Sequence, residues 1–436
     1  MNKILILILL LCSFQLWAKQ IIIAPGTASP SGNDNNAGTL AAPYLTLTKA
    51  WSVVAAGDTI YIRGGTYAMA SQTRLINKSG TEDRVIKIIN YPNESPVFDF
   101  SATTFMTNTT GIHIRNAGYL YLKGFRITGL VQRVGGASHY GIRFYDNVNY
   151  TTLKNIECDH IGGTGFVVGG SSGNNLFEDC DSHHNSDQYS ISDPWGSGDG
   201  FQSAATGNDN TFIRCRAWWN SDDGFDFRLV NGLVTLESCW AFNNGYIPET
   251  TATGGNGEGF KLGPKGKAPS TTDTLRVVFN CLAFNNRLSG FAGLTAGYYT
   301  MYIIMYNNIA YSNGVGVRGN GFRFVDAGMV TTLKNNLDYR NGATPAISHP
   351  NTHTNNSWDS SPEVTVSNAD FRSIDPGEMS GARQADGSLP VTTFLHLARK
   401  SDLINAGIDV GLPYENTAPD IGAYEYVFDN PPGLLK

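Results

Sequence analysis

Apolar residues along this chain fall into short, strand-length runs that recur beside fixed polar positions. Thr211-Phe212-Ile213 and Arg276-Val277-Val278-Phe279 are typical, and their β-branched and aromatic content predicts strands rather than helices. Six segments share one pattern: Cys180 to Asn185, Cys215 to Asn220, Cys239 to Asn244, Cys281 to Asn286, Asn308 to Asn313 and Asn336 to Asn341. Each opens on Cys or Asn, carries an aromatic or His three residues later, and closes on Asn two beyond that. A Gly-Phe strand completes the unit, at Phe166, Phe201, Phe225, Phe260, Phe291 and Phe322. Unit length varies between about 22 and 42 residues, the signature of a solenoid whose loops differ in length on one side.

These units contain no helical periodicity, which argues against a leucine-rich or all-helical repeat. They predict a right-handed, single-stranded parallel β-helix with coils about 4.8 Å apart. The recurring Asn is expected at a left-handed corner, hydrogen-bonded to its neighbours as a ladder. The Cys and Phe columns become core. Pro43 to Trp51 suggests a short amphipathic cap helix, starting near Ala42, ahead of the first strands at Gly57 to Ile62. Pro419 to Glu425 resembles a closing strand, whereas residues 342–410 have no clear order. One solenoid domain over residues 19–436 is expected. It would comprise a cap and first coils (19–100), regular coils bearing the site (101–345) and a C-terminal coil with loops (346–436).

Composition narrows the function. Met1-Asn2-Lys3 followed by the apolar run Ile4 to Leu11 and by Leu16-Trp17-Ala18 predicts a signal peptide over residues 1–18 and a secreted or periplasmic protein. No segment is apolar enough to span a bilayer. Cys12 follows leucines rather than a small residue, so lipoprotein anchoring is not expected. Low charge and a net of −6 exclude a general nucleic-acid binder. Beyond the signal region the cysteines are Cys158, Cys180, Cys215, Cys239 and Cys281; their odd number and place in the repeat favour buried thiols over disulfides. A monomer is expected.

Three Gly-Phe segments differ from the rest in charge: Gly198-Asp199-Gly200-Phe201, Asp222-Asp223-Gly224-Phe225-Asp226 and Gly257-Glu258-Gly259-Phe260-Lys261. Registered on Gly-Phe, Asp199, Asp223 and Glu258 form one column, and Gln202, Asp226 and Lys261 a second. Flanking coils hold Thr164 and Val167 on one side and Ser289 and Ala292 on the other, so the acidic cluster is local. Packed carboxylates repel unless a cation lies among them. Asp199, Asp222, Asp223 and Asp226 offer hard oxygen ligands suited to Ca²⁺, and His or Cys ligands that would suit zinc or copper are absent from the columns. Lys261 reads either as a salt-bridge partner of Asp226 or as a base with a tuned pKa.

This succession resembles the ninth family of polysaccharide lyases, calcium-dependent parallel β-helix enzymes acting on pectic polymers. The resemblance implies Asp199, Asp222, Asp223 and Asp226 as Ca²⁺ ligands, Lys261 as catalytic base, and an acidic pectic substrate, homogalacturonan or rhamnogalacturonan. It implies β-elimination: Ca²⁺ on the uronate carboxylate acidifies C5–H, Lys261 takes the proton, and the C4–O bond breaks. The insertions Ser186 to Gly198 and Gly245 to Gly257 are expected to wall the groove. Within and near them, Tyr189, Trp195, Arg228, Lys265, Lys267 and Arg287 are candidate substrate contacts, though each fits an ordinary loop or solvated role equally well. A metal-free polygalacturonase-type glycosidase and a non-catalytic carbohydrate-binding solenoid are the alternatives.

Overall fold

The computed structural model describes residues 18–205, 207, 209–228, 230, 232–263, 274–294, 300–348 and 351–427. Residues 1–17, on which most of the expected signal peptide falls, and Lys265 and Lys267 lie outside the described residues. The chain coils through three parallel faces. One runs from Gln20–Ile23 and Thr59–Ile62 to Met329–Lys334 and Asn351–Thr354, and a second from Gly65–Ala68 to Leu337–Tyr339. The long strands Leu120–Thr128 and Thr152–Asp159 span both, joining them into a single 20-stranded sheet. The third face is a separate 10-stranded sheet, from Thr73–Ile76 to Ala346–Ile347. The parallel β-helix expected from the repeat is therefore the fold.

Alternation along each strand sends every second side chain inward. Phe166, Phe201, Phe225, Phe260 and Phe291 stack face to face with ring centroids 4.8 Å apart, one ring per coil. Each is essentially inaccessible to solvent, and burying a side chain of this size contributes roughly 1.5–3 kcal/mol. The cysteines from Cys158 to Cys281 are free thiols buried in the same core.

The ladder joins Asn185, Asn220, Asn244, Asn286, Asn313 and Asn341 through side-chain amide bonds of 2.8–3.0 Å. A second ladder, Asn308, Asn336 and Asn356, continues the Cys column. The backbone corrects one expectation. The left-handed residue is the one before each ladder Asn: His184, Trp219, Asn243, Asn285, Ser312 and Arg340, with φ between 52° and 57°. Even Trp and Arg hold that conformation because the paired asparagines on either side fix the corner. The ladder also explains the glycine of each Gly-Phe pair. A Cβ on Gly224 would lie 2.6 Å from the Gly259 carbonyl oxygen and 2.9 Å from Asn244 Nδ2.

The ends differ from expectation. The cap helix is Leu47–Val53, later than the apolar pattern suggested, because Pro43 disfavours helix just before it and Thr46 is the N-cap, accepting from Lys49 N at 3.0 Å. The first strand, Gln20–Ile23, precedes that helix and pairs with Thr59–Ile62. Residues 419–425 form no closing strand. Instead, Ile421 joins Phe371, Met379, Phe394 and Leu403 against the outer side of the second face, on Trp240, Phe284, Ile309 and Leu337. The tail thus covers a flank of the solenoid.

Candidate active site and metal centre

The strand register brings the two charged columns together. On the third face Val167 pairs with Gln202, Gln202 with Asp226, Asp226 with Lys261, and Lys261 with Ala292. One position upstream of each glycine, the backbone bonds Gly200 N to Asp223 O and Gly224 N to Glu258 O, both 3.0 Å, align Asp199, Asp223 and Glu258. Carboxylate oxygens of Asp199, Asp223 and Asp226 all lie within 4.8 Å of one another.

Each carboxylate is held from behind. Asp199 accepts from Asp223 N at 3.1 Å and from Gln202 Nε2 at 3.0 Å. Asp223 Oδ1 accepts from Gly257 N and Glu258 N at 3.1 and 2.8 Å. Asp226 Oδ1 accepts from Arg228 N at 2.7 Å. Asp222 sits apart from the converging three, with Oδ1 turned to Asn256 N at 2.5 Å. Lys261 Nζ lies 2.6 Å from Asp223 Oδ2 and 3.7 Å from Asp226 Oδ2.

The electrostatics are unbalanced. Asp199, Asp222, Asp223, Asp226, Glu258 and Lys261 are all buried, with Asp226 and Glu258 keeping the most exposure, 6% and 7%. Burial, reinforced by neighbouring carboxylates, pushes the Asp199, Asp222 and Glu258 carboxyls well above their ordinary range. Asp226 is raised by burial against the opposing pull of Lys261. Burial lowers the Lys261 pKa, but Asp223, Asp226 and Glu258 outweigh it and hold the ammonium well above its usual value. Glu258 Oε2 is buried without a hydrogen-bond partner. One ammonium among five carboxylates, with an orphaned oxygen and hard donors only, is an arrangement that a further cation such as Ca²⁺ fits.

A second group, Glu157, Asp159 and His183, also has ligand atoms within 4.8 Å of one another. It suits an ion less well. Asp159 is bound by Arg126 through Nε and an Nη at 2.6 and 2.7 Å, so its charge is already matched. An open cavity of about 550 Å³ beside it is lined by His183, Trp218 and Arg216 on the 20-stranded sheet, away from the acidic columns.

The two insertions meet at the site. Gly255 approaches so closely that a Cβ there would lie 2.4 Å from Asp222 Oδ1 and 2.7 Å from the Trp195 carbonyl oxygen. Arg287 braces this loop, donating from Nη1 to Gly255 O and Asn256 O at 2.9 and 3.0 Å. Trp195 is half-buried and accepts from Ser221 Oγ at its carbonyl. Tyr189 is exposed, with its backbone N–H bound to Gln132. Arg228 is exposed next to Asp226.

One residue behind the site was not singled out by sequence reasoning. Arg276 is fully buried and donates to the carbonyls of Leu262, Gly232, Leu275 and Val230 at 2.6–3.0 Å. Burial lowers its pKa to about 9. The alternation of Thr274–Phe279, which points Arg276 inward with Thr274 and Val278, was the available signal. Replacing Arg276 by Leu strands those carbonyls and is expected to destabilise the fold by about 3 kcal/mol or more. Denaturant titration of the purified variant measures it.

The chain matches the family model described as Pel9A-like, right handed beta helix region, over residues 27–356. It is 32% identical over 412 residues to pectate lyase L of Dickeya dadantii (strain 3937), covering 91% of this chain and 89% of that protein. Pectate lyase PEL9 of Emericella nidulans is 30% identical over 408 residues, covering 86% and 92%. Among solved structures, pectate lyase Pel9A superposes with a TM-score of 0.76 at 30% identity, covering 93% of this chain and 96% of that one. A rhamnogalacturonan lyase gives 0.74 at 29%, covering 88% and 97%.

Proposed function

Since this chain belongs to the Pel9A-like, right-handed β-helix family, and is a polysaccharide lyase, we propose that it cleaves uronate-containing pectic chains by calcium-dependent β-elimination, with Lys261 as the base. The observation that carries this reading is that Lys261 Nζ lies 2.6 Å from Asp223 Oδ2 and 3.7 Å from Asp226 Oδ2, beside the group formed by Asp199, Asp223 and Asp226.

Asp199, Asp223 and Asp226, with Asp222 beside them, would hold the ion. Calcium, when bound, supplies positive charge that acidifies the proton next to a uronate carboxylate and steadies the anion formed on its removal. The protein's own groups do the rest. Asp223 and Asp226 favour the ammonium of Lys261, while burial favours the neutral amine. With those carboxylates engaged elsewhere, burial governs and Nζ becomes a base. Neutral Nζ takes the C5 proton, the C–H electron pair becomes the C4=C5 double bond, and the C4–O bond breaks. The leaving oxygen takes a proton from water. The insertions that meet at Gly255 and Trp195 restrict water around the cluster.

A metal-free glycosidase reading fits less well. Its two carboxyls stand about 5–5.5 Å apart when retaining and further when inverting, whereas three carboxylates here converge within 4.8 Å beside an amine. The test is incubation with polygalacturonate and with rhamnogalacturonan, with and without Ca²⁺. Ultraviolet absorbance from an unsaturated product is expected with at least one polymer and should vanish on adding EDTA. Saturated products, or an unchanged rate in EDTA, would overturn the proposal.

A further inference from the structure

The outward column that contains Lys261 continues across the N-terminal coils of the same sheet. Arg74 pairs with His113, His113 with Arg143, and Arg143 with Val167, which leads through Gln202 and Asp226 to Lys261. Arg143 is thus four coils from the base, about 19 Å at ~4.8 Å per coil. Its guanidinium lies over two rings, 4.9 Å from the Tyr140 centroid and 4.5 Å from that of Tyr145. Two neighbouring polar atoms, Arg143 Nε and His113 Nε2, are buried without a hydrogen-bond partner. Among the described residues no carboxylate pairs with Arg143 or with exposed Arg74, whereas Arg115 nearby is paired to Asp146 at 2.7 Å. Unmatched cations on the active face of an otherwise acidic protein, one lying over two tyrosine rings, form a preorganised receiver for carboxylates.

We propose that Arg143, flanked by Tyr140 and Tyr145 and followed by His113 and Arg74, is a remote anchoring site for the uronate carboxylates of a long substrate chain lying along the solenoid axis. This rests on the lyase reading of the site at Lys261. A pyranose unit in an extended chain advances by a distance comparable with one coil, so a chain reacting at Lys261 reaches Arg143 only if several further sugars lie on that side. The tyrosine rings hold the guanidinium in place and offer sugar rings an apolar surface. Arg143 touches no reacting atom, and its contribution is to binding.

The test compares wild type, Arg143→Ala and Arg143→Lys on polygalacturonate, on rhamnogalacturonan and on a trigalacturonide too short to span the four coils. The Ala variant is expected to raise KM about tenfold on whichever polymer is cleaved, the loss of one charge-assisted contact. It should leave kcat, the melting temperature and the trigalacturonide rate unchanged. The Lys variant, which keeps charge but loses the planar fork, should recover KM in part. The polymer whose KM responds identifies whether carboxylates on every sugar or on alternate sugars are gripped. Equal effects on trimer and polymer, or none on either, overturn the anchoring site while leaving the lyase reading standing. Retardation in polygalacturonate-containing native gels is read separately from turnover. Arg143-dependent retardation without any unsaturated product would support the anchor and sink the lyase reading.

Discussion

Replacing Lys261 by Ala is expected to lower kcat on pectic polymer by about 10³-fold or more, at the upper range for removal of a positioned base, with KM little changed. The same substitution should tighten calcium binding. Lys261 lies 2.6 Å from Asp223 and 3.7 Å from Asp226, so its ammonium competes with a metal ion for the same carboxylates. Removing the competitor leaves Asp223 still fixed by Gly257 N and Glu258 N. Calorimetry of calcium binding beside steady-state kinetics separates the two effects. A simple structural lysine would show weakened ion binding, or none, together with a lowered melting temperature at saturating calcium. Arg at this position would keep the counter-charge but stay protonated, and should be as inactive as Ala.

Removing the central carboxylate is the second large effect. Asp223→Asn keeps the shape but loses the charge shared among Asp199, Asp226 and Lys261. Calcium-induced thermal stabilisation should disappear and activity fall by about 10³-fold or more at ordinary calcium. Asp222→Asn should cost less, because its carboxylate faces Asn256 N rather than the converging oxygens. Melting curves with and without calcium rank the two variants. If Asp222→Asn proved the more damaging of the pair, the ion would sit closer to Asn256 than the converging trio implies.

Why the charged columns could be read from sequence is now physical. Gly-Phe pairs are pinned twice, the phenylalanine by the ring stack and the glycine by contact with a ladder asparagine. Anything adjacent to such a pair inherits its register, so Asp199, Asp226 and Lys261 could be aligned without a structure. Features without that pin were misplaced. The left-handed corner fell one residue earlier than expected, since the hydrogen-bonding side chain and the strained backbone are neighbours rather than one residue. The segment 419–425 has strand-like composition but pairs with no strand, and its Ile421 packs on Leu337 and Ile309 against the flank of the solenoid instead. Arg276 was hidden because a cation within an apolar run reads as an outward residue until the alternation is counted. Arg143 belongs to the same column as Lys261, yet its coils lack the Gly-Phe marker: Ile142 stands where Phe166 does in the next coil.

The asparagine ladder has a consequence for how such a protein can change. Its steps join residues 35, 24, 42, 27 and 28 positions apart, yet every bond is of ordinary length. Each rung therefore resets the frame after whatever the preceding loop contained. Length variation is quarantined outside the core, so a lineage can lengthen, shorten or exchange the outer part of the loop, Tyr246 to Thr253, without moving Lys261 or the Gly255 to Gly257 backbone that braces Asp222 and Asp223. The tip of the loop and the chemistry at Lys261 are thereby separately heritable, and grafting that tip between relatives should leave kcat on the polymer little changed.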